Sequence, residues 1–272
     1  MGKLRICRAA LQNAASYLGR NAIHSGARVQ DSKPDSLNNL DILAIGAHPD
    51  DIEVHIGGIM AKAAKRGIRA AILDITVGDL GTRGTPERRR AEGLDAAKIL
   101  GVERFFIGLP DAKFTEGEEE RVALIKEIRS LRPEIVILPS HEDNHPDHRR
   151  AHRLCKEAIY YSGLKNYPCP GEPWRPSAVA WVGGVNPSSP PDLVFDVSDH
   201  WPQRMAAFDA FSSQVKTELG QKPIKIGHPA FRGGIEGRAM HWGSLILKPY
   251  AEGLWCEKPI PVGLMKLWNS LY

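Results

Sequence analysis

His48, Asp50 and Asp51 stand within four residues of one another in AHPDD (47–51), and four more histidines crowd HEDNHPDHRRAH (141–152). An imidazole and two adjacent carboxylates at the end of a hydrophobic run are electrostatically costly unless they share a cation or a proton. Helix capping accounts for one of the two aspartates. It does not account for His48 or for the second acid. A divalent metal ion removes the difficulty. His48, Asp51 and His148 together offer two imidazoles and one carboxylate, a three-ligand catalytic set that leaves positions open for water and substrate. His152, one helical turn beyond His148, is the rival ligand; His55 and His141 are weaker ones.

The elements that must position these groups follow from the hydrophobic pattern. Strands are expected over 41–47, 69–76, 104–109 and 134–140, alternating with helices over 54–67, 86–101, 117–132 and 146–163. Pro86 and Gly101 punctuate the second helix at its start and end. Such alternation predicts an α/β fold, Rossmann-like, with a mostly parallel sheet and helices on both faces. Sites in such sheets lie beyond the carboxyl ends of the strands. GAHPDD (46–51), TVGDLGTRGT (76–85) and PSHEDNHPDH (139–148) all fall on that rim. Further strands are expected within 177–184 and 192–198, and helices over 200–215 and 236–248. The Gly pair in HIGGIM (55–60) is no dinucleotide signature, because GxGxxG is absent and two acids would face a pyrophosphate.

The chain has 272 residues and a formal charge of +4. Its first 30 residues carry five basic groups and no acid, so the other 242 residues sum to −1. A nearly neutral body argues against a nucleic-acid partner. No apolar run approaches the ~20 residues of a membrane span. Four scattered cysteines without a CxxC pair fit a reducing cytosol. Residues 1–39 read as a flexible basic extension, with organellar targeting the minority alternative. Residues 40–272 read as one α/β domain.

With these motifs the chain resembles the PIG-L/LmbE-like N-acetylglucosamine de-N-acetylases. The resemblance rests on AHPDD (47–51) and HPDH (145–148) and covers about residues 41 to 250. DLGTRGTPERRRAE (79–92), GRAMHWGSLILKPYAEG (237–253) and the Ile52-Glu53 pair look like the branch that deacetylates N-acetylglucosaminyl malate in bacillithiol biosynthesis. The resemblance implies that His48, Asp51 and His148 bind Zn²⁺, with Fe²⁺ as another ion such a set accepts. It implies that Asp50 is the general base, that His145 in its protonated form stabilises the oxyanion, and that Asp147 orients His145; should Asp50 prove dispensable, Glu53 is the next candidate for the base. It also implies a homo-oligomer, trimer or hexamer. Two positions depart from the pattern: VHIGG (54–58), where many relatives carry smaller residues, and His241, where relatives of this branch carry an aromatic residue thought to assist the oxyanion.

Arg83, in a loop with Gly78, Gly81 and Gly84, is expected to clamp a substrate carboxylate or sugar hydroxyl. Arg88, Arg89 and Arg90 are expected to form a solvated helix face. The leading expectation is zinc-dependent removal of acetate from GlcNAc-malate. The alternatives are a deacetylase of diacetylchitobiose or another GlcNAc conjugate, a non-haem Fe(II) enzyme, and an inactive sugar-binding module.

Overall fold

The computed structural model describes residues 39–184, 187–217 and 222–259. The expected basic extension lies outside them, apart from Asn39. The strands are β1 (Ile42–Gly46), β2 (Ala70–Thr76), β3 (Glu103–Leu109), β4 (Ile135–Leu138), β5 (Ala178–Val182), β6 (Leu193–Asp196) and β7 (Ala251–Cys256). They form one sheet of order β3-β2-β1-β4-β5-β7-β6. β1 to β5 are parallel, and β7 runs antiparallel to both β5 and β6. The helices are α1 (Asp51–His55), α2 (Gly57–Lys65), α3 (Pro86–Leu100), α4 (Glu118–Leu131), α5 (Pro146–Ser162), α6 (Trp201–Ala210), α7 (Ser212–Val215) and α8 (Pro229–Leu245).

Every residue of β1 is buried because both faces of the sheet are covered. Ile42 and Ala44 pack toward Ile59 and Phe208, while Leu43 and Ile45 pack toward Leu124 and Leu154. The chain leaves β1 toward β2 and β3 on one side, then returns to β4 on the other. The crevice between the carboxyl ends of β1 and β4 is therefore the topological switch point, where α/β sheets hold their ligands. AHPDD follows β1, and HPDH follows β4.

Four elements differ from expectation, the first being the helix expected over 200–215, which is broken at Phe211 into α6 and α7. The helix expected over 54–67 starts earlier and is broken at Ile56, which has φ −141° and ends α1 before α2 begins. The break lets Gly57 and Gly58 come against α6 and the residue that follows β6: a Cβ on Gly57 would stand 2.9 Å from Arg204 Cγ, and one on Gly58 2.8 Å from Val197 Cβ. The Gly pair thus serves close packing. The last helix begins at Pro229, seven residues before its expected start, with His228 as its cap. β7 was not foreseen, because a run with Glu252 and Gly253 in it reads poorly as a strand. Glu252 is buried there and accepts the N–H groups of Gly58 at 2.9 Å and Ile59 at 2.7 Å, capping α2 from a distant strand.

Candidate active site

β1 delivers His48 to the crevice, and the turn that follows holds Asp50 at φ 108°. A non-glycine residue in that left-handed region costs roughly 1–3 kcal/mol and persists only where its surroundings fix it. Arg89 supplies part of that fixing. Its Nη2 donates to the Pro49 carbonyl at 2.6 Å and to Asp50 Oδ2 at 3.2 Å. Arg89 is buried, contrary to the expected solvated face. It lies on the stripe of α3 that continues through Gly93, Ala96, Ala97 and Leu100, all of them buried. That helical spacing is the signal by which the sequence could have set it apart from Arg88 and Arg90.

Asp51 opens α1 and stands between two imidazoles. Its Oδ1 is 3.2 Å from His148 Nε2, and its Oδ2 is 3.7 Å from His48 Nδ1. The second nitrogen of each ring faces further carboxylates. His48 Nε2 lies 3.1 Å from Asp111 Oδ1 and 3.4 Å from Asp147 Oδ2, and His148 Nδ1 lies 3.0 Å from Asp143 Oδ2. Carboxylates behind ligating histidines fix tautomer and ring orientation. Neither Asp111 nor Asp143 was singled out from the sequence. Asp111 lies two residues beyond the end of β3 on the same rim, so its position was the available signal.

His145 caps α5, and its Nδ1 accepts the Asp147 N–H at 3.3 Å. A neutral ring in this state carries its proton on Nε2, which is then a donor. Asp147 meets His145 through its backbone amide. Its carboxylate accepts from the Ala112 N–H at 3.0 Å and faces His48 and Arg150, so it does not orient His145 in the expected way. The reason is the helix cap: a residue two places after the cap gives its N–H to the cap side chain and turns its own side chain elsewhere.

Among the described residues, two groups bring their ligand atoms within 4.8 Å of one another: His48 with His145 and His148, and His48 with Asp111 and Asp147. His145 is therefore a geometric rival to Asp51 as the third donor beside His48 and His148. Electrostatics favour a cation at this point. Burial alone would depress the His48 and His148 pKa values, but the hydrogen bonds and charges of Asp111, Asp147, Asp51 and Asp143 push both up to about 10. Burial would raise Asp51, yet His148 and His48 hold it well below the usual carboxylate range. Protons thus fill the place of a positive charge. A metal ion displaces such protons on binding, and the imidazole and carboxylate donors suit Zn²⁺ or a related divalent ion. Asp50 behaves differently. Burial raises its pKa to about 7 even though the Arg89 charge opposes the rise. His145 is pushed down by burial and by the charges of His48 and His148, which favours its neutral form over the expected protonated one.

The open cleft over these groups has a volume of about 450 Å³ and is lined by His48, Asp50, Asp51, His145, His148 and the glycine loop at Gly78–Thr82. Arg83 does not line it. Its Nη1 donates to the Lys216 carbonyl at 2.9 Å, and its Nη2 goes to the Lys222 carbonyl. His241 is exposed and packs on Trp242 at a ring distance of 4.6 Å, away from the cleft. His152 turns its Nδ1 to the Pro139 carbonyl at 2.9 Å and packs near His141 and Trp181. His55 lines the cleft. Glu53 is buried beneath it in an ion pair with Arg104 at 2.7 Å, so it is not placed to replace Asp50.

Comparison with known proteins agrees with this geometry. Residues 43–159 match the family model described as PIG-L, GlcNAc-PI de-N-acetylase. A conserved protein of Thermus thermophilus shares the fold with a TM-score of 0.75 and 34% identity, over 82% of this chain and 96% of that one. Diacetylchitobiose deacetylase of Thermococcus kodakarensis is 28% identical over 78% of this chain and 81% of its own length. A 1D-myo-inositol 2-acetamido-2-deoxy-α-D-glucopyranoside deacetylase of Saccharopolyspora erythraea is 27% identical, over 65% and 85%. The matched segment runs from β1 into α5 and contains each group that the crevice brings together, and this segment is a PIG-L family domain.

Proposed function

We propose that this chain hydrolyses the N-acetyl group of an N-acetylglucosaminide, releasing acetate and the free amine, with GlcNAc-malate as the leading substrate and zinc as the ion. The observation that carries the reading is the split between two adjacent aspartates. Asp51 is locked between His48 and His148, while Asp50, beside it, is left near neutrality and open to the cleft. One acid is suited to hold a cation and the other to exchange a proton.

A divalent ion held by His48, Asp51 and His148 would supply Lewis-acid polarisation and lower the pKa of a water toward about 7. The Asp50 carboxylate takes the proton of the attacking water. As the C–N bond breaks, Asp50 returns that proton to the amine nitrogen, and acetate and amine leave. His145 Nε2 donates a hydrogen bond to the acyl oxygen while charge develops there. Asp111, Asp147 and Asp143 hold the two ligating rings in place. Diacetylchitobiose is the second reading, favoured by the relative that acts on it and aligns with 78% of this chain.

Acetate release from GlcNAc-malate and from diacetylchitobiose, with and without a chelator, tests the proposal. Release from the malate conjugate that is abolished by chelation and restored by Zn²⁺ is expected. No release from either compound by the metal-loaded protein would refute it.

A further inference from the structure

The cleft continues into a second open pocket of about 430 Å³, with which it shares Val54, Ile224, Lys225 and Phe231. The ionisable side chains lining that pocket are Lys225, His228 and Arg238, and no Asp or Glu is among its lining residues. Arg238 projects from α8 and donates its Nη2 to the Val54 carbonyl at 3.0 Å. Val54 lies in α1, three residues after Asp51. The guanidinium is thus tied to the short helix that carries the metal-facing carboxylate. Buried Arg204 donates to the same carbonyl at 2.7 Å. Glu252 is already engaged by two backbone N–H groups, and its Oε1 is 3.5 Å from Arg204 Nε. Among the described residues no carboxylate forms an ion pair with Arg238 or Lys225.

Burial lowers the Arg238 pKa, and Glu252 and Asp143 offset this only from a distance. A guanidinium that is fixed, partly dehydrated and without a counter-ion is costly to keep. Its planar fork matches a carboxylate. Arg83, expected in that role, instead gives both of its Nη groups to main-chain carbonyls.

We propose that Arg238, with Lys225, forms a carboxylate-binding subsite at the far end of the cleft; the proposal rests on the deacetylase reading above. The carboxylate has two available sources: the aglycone of the sugar, and the acetate released on turnover.

The test compares two N-acetylglucosaminides that differ only in an aglycone carboxylic acid against its primary amide, using the full-length zinc-loaded protein. If the aglycone is the source, the wild type prefers the acid in kcat/KM by about ten-fold or more, as for a charged hydrogen-bonding partner. Arg238→Gln and Lys225→Gln then draw the ratio toward one. If acetate is the source, the ratio starts near one, and inhibition of amide turnover by sodium acetate weakens in the same variants. Lys225 is exposed, so Lys225→Gln keeps the test readable should Arg238→Gln fail to fold. An acid-to-amide ratio and an acetate inhibition constant both unchanged by the variants would overturn the subsite. Absence of acetate release from any substrate would refute the deacetylase reading instead. Calorimetric titration of succinate then decides the subsite: weaker binding to Lys225→Gln than to wild type supports it, and equal binding overturns it.

Discussion

One wall of the cleft is made of His48, Asp50, Asp51 and His148, which come directly off β1 and α5, and their partners Asp111, Asp143 and Asp147 are themselves buried. Another wall is made of Lys225 and Phe231, just before and within the first turn of α8, together with the glycine loop at Gly78–Thr82, and most of it is exposed. In the first wall every ring nitrogen of His48 and His148 meets a carboxylate. In the second, Lys225 has no ion-pair partner among the described residues. Bond-breaking needs groups held within about 0.5 Å of productive geometry, which a sheet edge and buried carboxylates supply. Recognition of the rest of a substrate is left to loops that vary over a fixed scaffold.

The comparison breaks most severely at the rigid wall. His48→Ala and His148→Ala are expected to lose nearly all bound metal and nearly all turnover while the circular dichroism spectrum stays native. Full metal content in both variants would remove these residues from the ligand set. Asp51→Ala against His145→Ala then decides which of the two rivals is the third donor, since only the true ligand takes metal with it.

Asp50→Asn is next. The metal is expected to stay, and turnover to fall by about 100-fold or more, as for a lost general base. Asp50 acts deprotonated, and burial sets its pKa to about 7. kcat/KM should therefore be full above that pH and decline as pH falls through it. The charge of Arg89 lowers the Asp50 pKa, so Arg89→Gln should move this acid limb to higher pH. A pH profile that is flat through neutrality would assign the proton transfer to another group.

Asp111→Asn sharpens the account of how the wall is held. With carboxylates facing Nε2, His48 keeps its proton there and presents the Nδ1 lone pair toward Asp51. An asparagine amide that donates to Nε2 would move the proton to Nδ1 and block ligation. Metal affinity measured by chelator competition should weaken by about 10- to 100-fold. Unchanged affinity would leave Asp147 as the sole group that sets the tautomer.

Much of this wall was legible in the sequence. The alternation of apolar runs located β1 and β4, and the strand-end rule then placed both histidine motifs on one rim. What stayed hidden depended on contacts between distant segments. Glu252 caps α2 across 194 residues, and no local pattern announces that. Arg104 reads as a strand-end charge, yet it is buried against Asp74 at 2.6 Å and Glu53 at 2.7 Å. Arg238 sits in a segment quoted for family likeness, but its place in the pocket depends on how α8 docks against α1. Arg83 and Arg89 both departed from expectation for a similar reason. Arg83 lies within the glycine loop and Arg89 follows it in α3, and only the packing of α3 against α6 and β3 decides which guanidinium turns inward.

The smallest effect is expected at Arg83, and it bears directly on the second wall. The guanidinium joins the glycine loop to the carbonyls of Lys216 and Lys222, while Gln214 Nε2 donates to the Arg83 carbonyl at 2.7 Å. These contacts hold the loop against the stretch that leads to Lys225. Arg83→Ala removes the side-chain half of that tie and leaves the backbone half. Hydrogen bonds of this kind contribute about 1 kcal/mol each, so a small drop in melting temperature is expected. Turnover of an acidic and a neutral N-acetylglucosaminide should fall by the same modest factor, because a loop that shifts disturbs both alike. Lys in place of Arg83 should recover part of the loss through one of the two carbonyls. A selective loss on the acidic substrate alone would mean that Arg83 swings into the cleft on binding and contacts a carboxylate after all. Parallel losses would leave discrimination of the aglycone to Lys225 in the cleft and Arg238 in the pocket that continues it.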